Sequence, residues 1–324
     1  MDRAEKRHKL LVTRKLPDDA EAAFAKAFDC QFNPEDKPYT PDALCRAADG
    51  CFGLAITSMD KFNADLIGKL PASVKIISTV SVGHEHIDLA AVKAKGLVAT
   101  NTPGVLTDAT ADIALLLILG AARGAYWGER MVRENRWPGA SMVKPLGHDV
   151  SGQRLGIIGM GRIGQAVAKR ARAFGMTIHY HNRKELSPAE AEGATFHATL
   201  EGMLPHCDFV SINCAMTPET KNLINARTLA LLPKGAIVVN SARGGIVEDE
   251  ALISALTSGH IAAAGLDVFA GEPNIDPRYR DLPNVFLLPH LGSATLRTRT
   301  NMGLRALDNL TAFAQGKAPR DQLT

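Results

Sequence analysis

Short apolar runs alternate with stretches of helical periodicity along almost the whole of this 324-residue chain. Runs rich in Val, Ile and Leu, closed off by turn residues, are what strands buried on both faces of a parallel sheet require. The alternation therefore predicts α/β layers with parallel sheets. In the first third the expected strands are LLVT (Leu10–Thr13), GLAIT (Gly53–Thr57), VKIISTV (Val74–Val80) and LVATN (Leu97–Asn101). A second block opens at Arg154 with RLGIIG, MTIHYH, DFVSINC, AIVVNSA, AAAGLDV and VFLLPH. Helical patterns include DDAEAAFAKAF, an apolar segment from Asp108 to Ala122, and the stretch after His290.

The length is comfortable for two domains, and a hydrophobic content of 46% can supply a core to each. Residues 105–291 are expected to form one domain. Residues 1–104, joined by 292–324 crossing back, form the other, with a small-molecule cleft between them. A net charge of +3 without a basic stripe is too small to imply a nucleic-acid partner, and none is expected. The basic start Lys6-Arg7-His8-Lys9 reads as a solvated terminus. Five scattered cysteines, none in a CxxC pair, read as reduced and mostly buried thiols. The longest apolar run, Ile113–Ala122, is too short to span a bilayer and reads as a buried helix. With no leader sequence visible, a cytoplasmic protein with no membrane partner is expected.

The stretch Gly159-Met160-Gly161-Arg162-Ile163-Gly164 matches GxGxxG between an expected strand and an expected helix. The first Gly permits the tight turn, the second lets backbone approach a pyrophosphate, and the third lets helix and strand pack closely. Free N–H groups at the helix start then face the phosphates. This context predicts a Rossmann-type doubly wound domain holding a nicotinamide dinucleotide. The next strand, MTIHYH, should end in an Asp or Glu for the ribose hydroxyls of NAD. It ends instead in Asn182-Arg183-Lys184. No acid there repels a 2′-phosphate; Asn182 can still hydrogen-bond at the cofactor's ribose, and Arg183 and Lys184 can bind the phosphate. NADPH is therefore the expected cofactor, with NADH as the lesser alternative.

Three polar residues follow expected strand ends, where open α/β sheets place ligands: Arg243, Glu272 and His290. Together they suit hydride chemistry on a 2-oxo acid. A substrate carboxylate wants a planar, permanently charged partner, which Arg243 supplies. Reduction of a ketone loads negative charge on its oxygen, and a protonated His290 can donate to it as general acid. A neighbouring Glu272 stabilises that imidazolium.

At this point the sequence resembles the D-isomer-specific 2-hydroxyacid dehydrogenases. The resemblance is carried by SVGHEHID (Ser81–Asp88), TPGVLTDATAD (Thr102–Asp112), the glycine loop and its helix, CAMTPETKNLIN (Cys214–Asn225), NSARGGIVEDEAL (Asn240–Leu252), GLDVFAGEP (Gly265–Pro273) and LPHLGSAT (Leu288–Thr295). It implies a flavodoxin-like α/β second domain, a homodimer, and Arg243, Glu272 and His290 as the catalytic set. It further implies that Val82 and Gly83 bind the substrate carboxylate through backbone N–H groups, and that Ser293 lines the substrate pocket. Thr107, Cys214, Ser241 and Asp267 match cofactor-contacting positions, Asp267 at the nicotinamide carboxamide. Within the family it is most similar to glyoxylate/hydroxypyruvate reductases. Other 2-oxo acids (2-ketogluconate, phosphoglycerate, the D-lactate pair) stay open as substrates, as does a non-enzymatic dinucleotide-sensing corepressor. His84 and His86 form an HxH, but no metal is expected, because the loop's resemblance already accounts for them. Trp127 and Trp137 read as packing or interface residues.

Overall fold

The computed structural model describes residues 7–324, and along them the chain divides into two compact units. One comprises the chain through Leu106 together with Ala294–Thr324; the other is Thr107–Ser293.

The first unit is built on five parallel strands: β1 (Lys9–Val12), β2 (Asp29–Gln31), β3 (Gly53–Ile56), β4 (Ile76–Thr79) and β5 (Val98–Thr100). Their order, β2-β1-β3-β4-β5, is that of flavodoxin-like sheets. Successive residues of β1 bury on opposite faces: Leu11 in one core layer, Leu10 and Val12 in the other. Burial on both sides is why such strands read as unbroken apolar runs. The long helix Leu296–Ala314 returns to lie beside β4 and the helix Asp18–Ala27. Gly303 allows that approach, since a Cβ there would sit 2.8 Å from Ala20 Cβ. The tail is fastened by Asp321, which accepts from Arg305 Nε at 2.6 Å and Nη2 at 2.9 Å.

The basic start is not simply a loose end. Lys6 lies outside the described residues, but His8 stacks on Phe52 at 4.1 Å and Lys9 opens β1. A strand begins there because Leu10 needs a partner in the core.

The second unit holds seven parallel strands: β6 (Arg154–Ile158), β7 (Thr177–His181), β8 (Thr195–His197), β9 (Phe209–Ile212), β10 (Ala236–Asn240), β11 (Ile261–Leu266) and β12 (Val285–Leu287). The order is β12-β11-β10-β9-β6-β7-β8, so the chain winds outward from β6 first one way and then the other. The direction reverses between β6 and β9, which is where ligands bind in doubly wound sheets. Ile237 and Val239 face one core layer, Ala236 and Val238 the other. The helix Thr107–Ala122 packs on this sheet with nine of its sixteen residues buried, as its composition suggested. Two glycines set its distance: a Cβ on Gly265 would lie 2.7 Å from Leu117 O, and one on Gly120 would lie 2.4 Å from the Phe286 ring. Among the described residues no single helix is long and apolar enough to cross a membrane.

Candidate active site

The glycine loop sits where the sheet reverses. Gly159 has a positive φ of 91°, and a Cβ there would lie 2.6 Å from Cys214 N, on the chain leaving β9. A Cβ on Gly164 would lie 2.3 Å from Gly159 O. These two positions exclude any side chain. Gly161, by contrast, has open space where a Cβ would point. It precedes the helix Arg162–Ala173, whose first turn has no side-chain cap. The helix start therefore offers N–H groups and its positive dipole end to an anion. This cradle fits a dinucleotide pyrophosphate, with Arg162 exposed and Ile163 half-buried beside it.

Asn182, in the ribose position, turns its side chain inward: Oδ1 accepts from Met160 N at 2.7 Å and braces the glycine loop. Arg183 and Lys184 are exposed beyond it. Two buried polar atoms without a hydrogen-bond partner, Asn213 Oδ1 and Ser241 Oγ, directly follow the C-terminal ends of the paired strands β9 and β10. Such orphans are costly unless a ligand meets them. Cys214 is mostly buried, which raises its thiol to about 11. Burial raises Cys207 to about 12. All five thiols are free. Thr107 opens its helix and is half-buried.

The reactive side chains come from three loops at strand ends. After β10, Asn240 folds the chain back on itself. Its Oδ1 accepts from Ala242 N at 3.0 Å and its Nδ2 donates to Arg243 O at 2.9 Å, so the turn that presents Arg243 is clamped. After β11, Asp267 performs a similar task. It is fully buried, with Oδ1 accepting from Leu291 N at 2.6 Å and Oδ2 from Gly292 N at 2.8 Å. Its carbonyl also accepts from His290 N at 2.9 Å. His290 is held in the left-handed region at φ 58°, which costs a non-glycine residue strain of about 1–3 kcal/mol. The three bonds to Asp267 hold the loop in that shape. Thr110 Oγ1 adds a fourth tether, donating to Gly292 O at 3.1 Å.

Gly244 joins the first two loops. A Cβ there would fall 1.8 Å from the carbonyl carbon of Phe269 and 2.2 Å from Ala270 N. That contact seats the Arg243 loop against the segment leading to Glu272. Glu272 Oε1 accepts from Phe269 N at 2.8 Å, and Oε2 meets His290 Nδ1 at 2.7 Å. Burial acts to raise the Glu272 carboxyl. The His290 and Phe269 hydrogen bonds and the nearby charges of His290 and Arg243 outweigh it, leaving the group below the ordinary glutamate range. Burial also raises Asp267, opposed by its two backbone donors.

The structure thus brings Glu272 and His290 into contact, with the charge of Arg243 felt at Glu272. Ser293 is half-buried just beyond the histidine loop. Sequence reasoning did not single out Asn240 or Gly244, nor the bracing of the histidine loop by Asp267. The doubled glycine after Arg243 and the Asn that ends β10 were the available signals.

In the first unit, Val82 and Gly83 follow β4 in a loop tied from behind. Asn101 Nδ2 donates to Val82 O at 2.8 Å and Ser81 Oγ to Gly83 O at 2.7 Å. Thr79 Oγ1 meets both Ser81 Oγ at 2.8 Å and His86 Nε2 at 2.9 Å. His86 therefore braces this loop, and no metal-ligating group occurs among the described residues.

The chain is similar to known proteins over almost its whole length. The family profile described as D-isomer specific 2-hydroxyacid dehydrogenase, NAD binding domain, matches residues 115–292. The chain is 43% identical over 310 residues to a glycerate dehydrogenase of Hyphomicrobium methylovorum, covering 95% of this chain and 96% of that one. It is 38% identical over 315 residues to a glyoxylate reductase of Thermococcus litoralis, covering 96% and 95%. Among solved structures, the NADPH-dependent glyoxylate/hydroxypyruvate reductase of Sinorhizobium meliloti in complex with NADP and malonate is similar with a TM-score of 0.88. That likeness is at 33% identity and covers 98% of this chain and 97% of that one. The chain belongs to the D-isomer specific 2-hydroxyacid dehydrogenase family and is an NAD(P)-dependent enzyme of that class.

Proposed function

We propose that this dehydrogenase reduces small 2-oxo acids, glyoxylate to glycolate and hydroxypyruvate to D-glycerate, with NADPH preferred over NADH. The observation that carries the reading is the 2.7 Å contact between His290 Nδ1 and Glu272 Oε2. It orients the ring and leaves Nε2 to serve a substrate oxygen. When bound, the reduced nicotinamide supplies a hydride to the carbonyl carbon. Protonated His290 gives its Nε2 proton to the carbonyl oxygen, which becomes the hydroxyl of the product, and the ring is left neutral. Glu272 stays ionised and stabilises the charged ring beforehand. Arg243 pairs with the substrate carboxylate, aided by the N–H groups of Val82 and Gly83, and Ser293 lines the pocket. In the oxidative direction His290 takes the hydroxyl proton.

The unit Thr107–Ser293 acts as the dinucleotide domain in this reading, and the first unit contributes substrate binding. Gly159, Gly161, Arg162, Ile163 and Gly164 hold the pyrophosphate. Thr107, Cys214, Ser241 and Asp267 border the remainder of the cofactor. The NADPH preference is supported by the missing acid at Asn182 and the exposed Arg183 and Lys184. Each charge-assisted bond to a 2′-phosphate contributes about 1.5–3 kcal/mol. The Sinorhizobium relative, named as NADPH-dependent, supports it too. Glyoxylate and hydroxypyruvate are supported by the names of the relatives, glycerate oxidation at C2 being the reverse of hydroxypyruvate reduction.

A homodimer is part of the proposal. Val132, Trp137, Met142, Val143 and Leu146 are all more than 60% exposed along the helix Ala125–Arg133 and the arm after it. Apolar exposure of that extent fits an interface.

The test is a steady-state panel of glyoxylate, hydroxypyruvate, pyruvate and 2-ketogluconate against both cofactors. The expected result is highest kcat/KM on the first two, with NADPH favoured at least tenfold. Preference for NADH by tenfold would reject the cofactor reading, and highest kcat/KM on pyruvate or 2-ketogluconate would reject the substrate.

A further inference from the structure

We propose that His86 is a positioning residue for the substrate carboxylate. A one-way hydrogen-bond chain from its ring sets the loop Ser81–His84, and adds the N–H of His84 to those of Val82 and Gly83 as a third donor. The inference rests on the carboxylate reading given above for Val82 and Gly83, and it gives a part to the second histidine of the HxH, which the reaction itself does not use.

Three consecutive peptide groups of this loop are built alike. Ser81 O accepts from Thr102 N at 2.9 Å, Val82 O from Asn101 Nδ2 at 2.8 Å, and Gly83 O from Ser81 Oγ at 2.7 Å. The N–H groups of the same three peptides, on Val82, Gly83 and His84, meet no acceptor among the described residues. A trans peptide directs its N–H opposite to its C=O. Each bond to a carbonyl therefore turns the matching N–H away from the ends of β4 and β5, and polarises it as a donor. Successive N–H groups left without a protein partner are what a bound anion requires.

The direction of the chain behind Gly83 follows from counting protons. Gly83 O can only accept, so the single hydroxyl proton of Ser81 goes to it. Ser81 Oγ then accepts from Thr79 Oγ1, 2.8 Å away. That uses the one hydroxyl proton of Thr79, so Thr79 Oγ1 accepts from His86 Nε2 at 2.9 Å, and the ring carries a proton on Nε2. Every link runs one way, from His86 through Thr79 and Ser81 to Gly83 O, and each bond strengthens the next. Thr79 is fully buried and Ser81 nearly so, which keeps water from competing for the links. The origin of the chain is firm. His86 O accepts from Phe62 N at 2.8 Å, Phe62 O accepts from Asp88 N at 2.9 Å, and the Phe62 ring is fully buried. The last link acts on the peptide joining Gly83 to His84, so the donor it sets is His84 N–H.

The experiment is steady-state kinetics of the full chain with glyoxylate and NADPH, together with inhibition by oxamate, an unreactive analogue that keeps the carboxylate. His86→Leu and Thr79→Val should each raise KM for glyoxylate and Ki for oxamate about tenfold, with kcat within about threefold and the NADPH Kd unchanged. His86→Gln and Thr79→Ser keep a donor in place and should bring both constants back to within about threefold of wild type. The pair His86→Leu/Thr79→Val should be no worse than either change alone, because one broken link already ends the chain. His84→Pro lacks the third N–H and should show a KM about tenfold above that of His84→Ala, which keeps it. Thr100→Val is the control. It removes an equally buried hydroxyl whose chain, through Ser78 Oγ at 2.8 Å to Ala306 O at 3.4 Å, leads away from the loop, so both constants should stay as in wild type. Gly83→Pro deletes one donor directly and tests the underlying reading by itself. A raised KM in Gly83→Pro with wild-type constants in His86→Leu and Thr79→Val would overturn this proposal alone, whereas an unchanged KM in Gly83→Pro would overturn the carboxylate reading with it. Additive losses in the pair, equal KM in His84→Pro and His84→Ala, or equal losses in Thr79→Val, Thr79→Ser and Thr100→Val would also overturn the proposal.

Discussion

Replacing Gly244 with alanine tests how the catalytic loops are held together. The added Cβ would lie 1.8 Å from Phe269 C and 2.2 Å from Ala270 N. Both are backbone atoms, so no rotamer change relieves the clash. Restoring van der Waals contact at about 3.4 Å moves the two loops apart by about 1.6 Å. Overpacking costs about 1–3 kcal/mol, and a backbone clash this deep belongs at the upper end. For a unit the size of Thr107–Ser293 that lowers Tm by roughly 5–10 °C. The displacement also reaches the chemistry. Phe269 N holds Glu272 at 2.8 Å and Glu272 holds His290 at 2.7 Å, so a retreat of Phe269 drags the imidazole with it. Misplacement by about 1 Å can cost about 10²-fold in rate. Kinetics with glyoxylate and NADPH should therefore show kcat/KM about 100-fold lower, alongside the drop in Tm. Gly128→Ala is the control. It meets open space within the helix Ala125–Arg133, so it should keep activity and gain up to about 1 kcal/mol of stability. A Gly244→Ala enzyme with wild-type kcat/KM and Tm would refute the reasoning.

Further outcomes follow from the same structure. Glu272→Gln keeps the shape but removes the negative charge behind His290, so kcat should fall about 10- to 100-fold with little change in cofactor affinity; unchanged kcat would deny Glu272 its role. Arg183→Ala and Lys184→Ala should each raise KM for NADPH about tenfold or more while sparing NADH, and an equal effect on both cofactors would mean the two side chains only face solvent. In the first unit, burial raises Asp321, but the bonds from Arg305 and Asn309 outweigh it and hold the carboxyl below its ordinary range. Its stabilisation is complete above the unfolded value of about 3.9 and is lost as pH falls through the lower folded value. Arg305→Met should then cost about 3 kcal/mol at pH 7 in thermal melts, and the gap to wild type should narrow below about pH 4; a gap independent of pH would contradict this. Cys207 and Cys214, raised to about 12 and about 11, should resist a thiol reagent at neutral pH until the protein is unfolded. Prompt labelling of either in the native state would contradict their burial.

The central strands were legible because both of their faces are buried, which writes them as apolar runs. β2 and β8 were not: each is a three-residue edge strand with a polar, partly exposed sequence, DCQ and TFH. The helix Ala125–Arg133 is amphipathic but has no buried residue, so its apolar positions do not belong to the core of the unit. Arg243, Glu272 and His290 stood out because charged groups just past strand ends have little structural reason to be there. Asn240 and Gly244 did not stand out, because what they do is made of backbone contacts. Only the folded chain shows that a Cβ at Gly244 would collide with Phe269. The turn of Asn182 toward Met160 N was likewise invisible in a one-dimensional reading that treated it as a ribose partner.

The central claim, that His290 braced by Glu272 donates the proton that accompanies hydride transfer, is tested most directly by rapid-mixing single turnovers. His290→Asn would be compared with the wild type using glyoxylate and NADPH, with NADPH binding followed in parallel by its fluorescence. The account predicts a cofactor Kd within about twofold of wild type and a first turnover at least about 100-fold slower. A first-turnover rate within about threefold of wild type, with the cofactor bound as tightly, would contradict it.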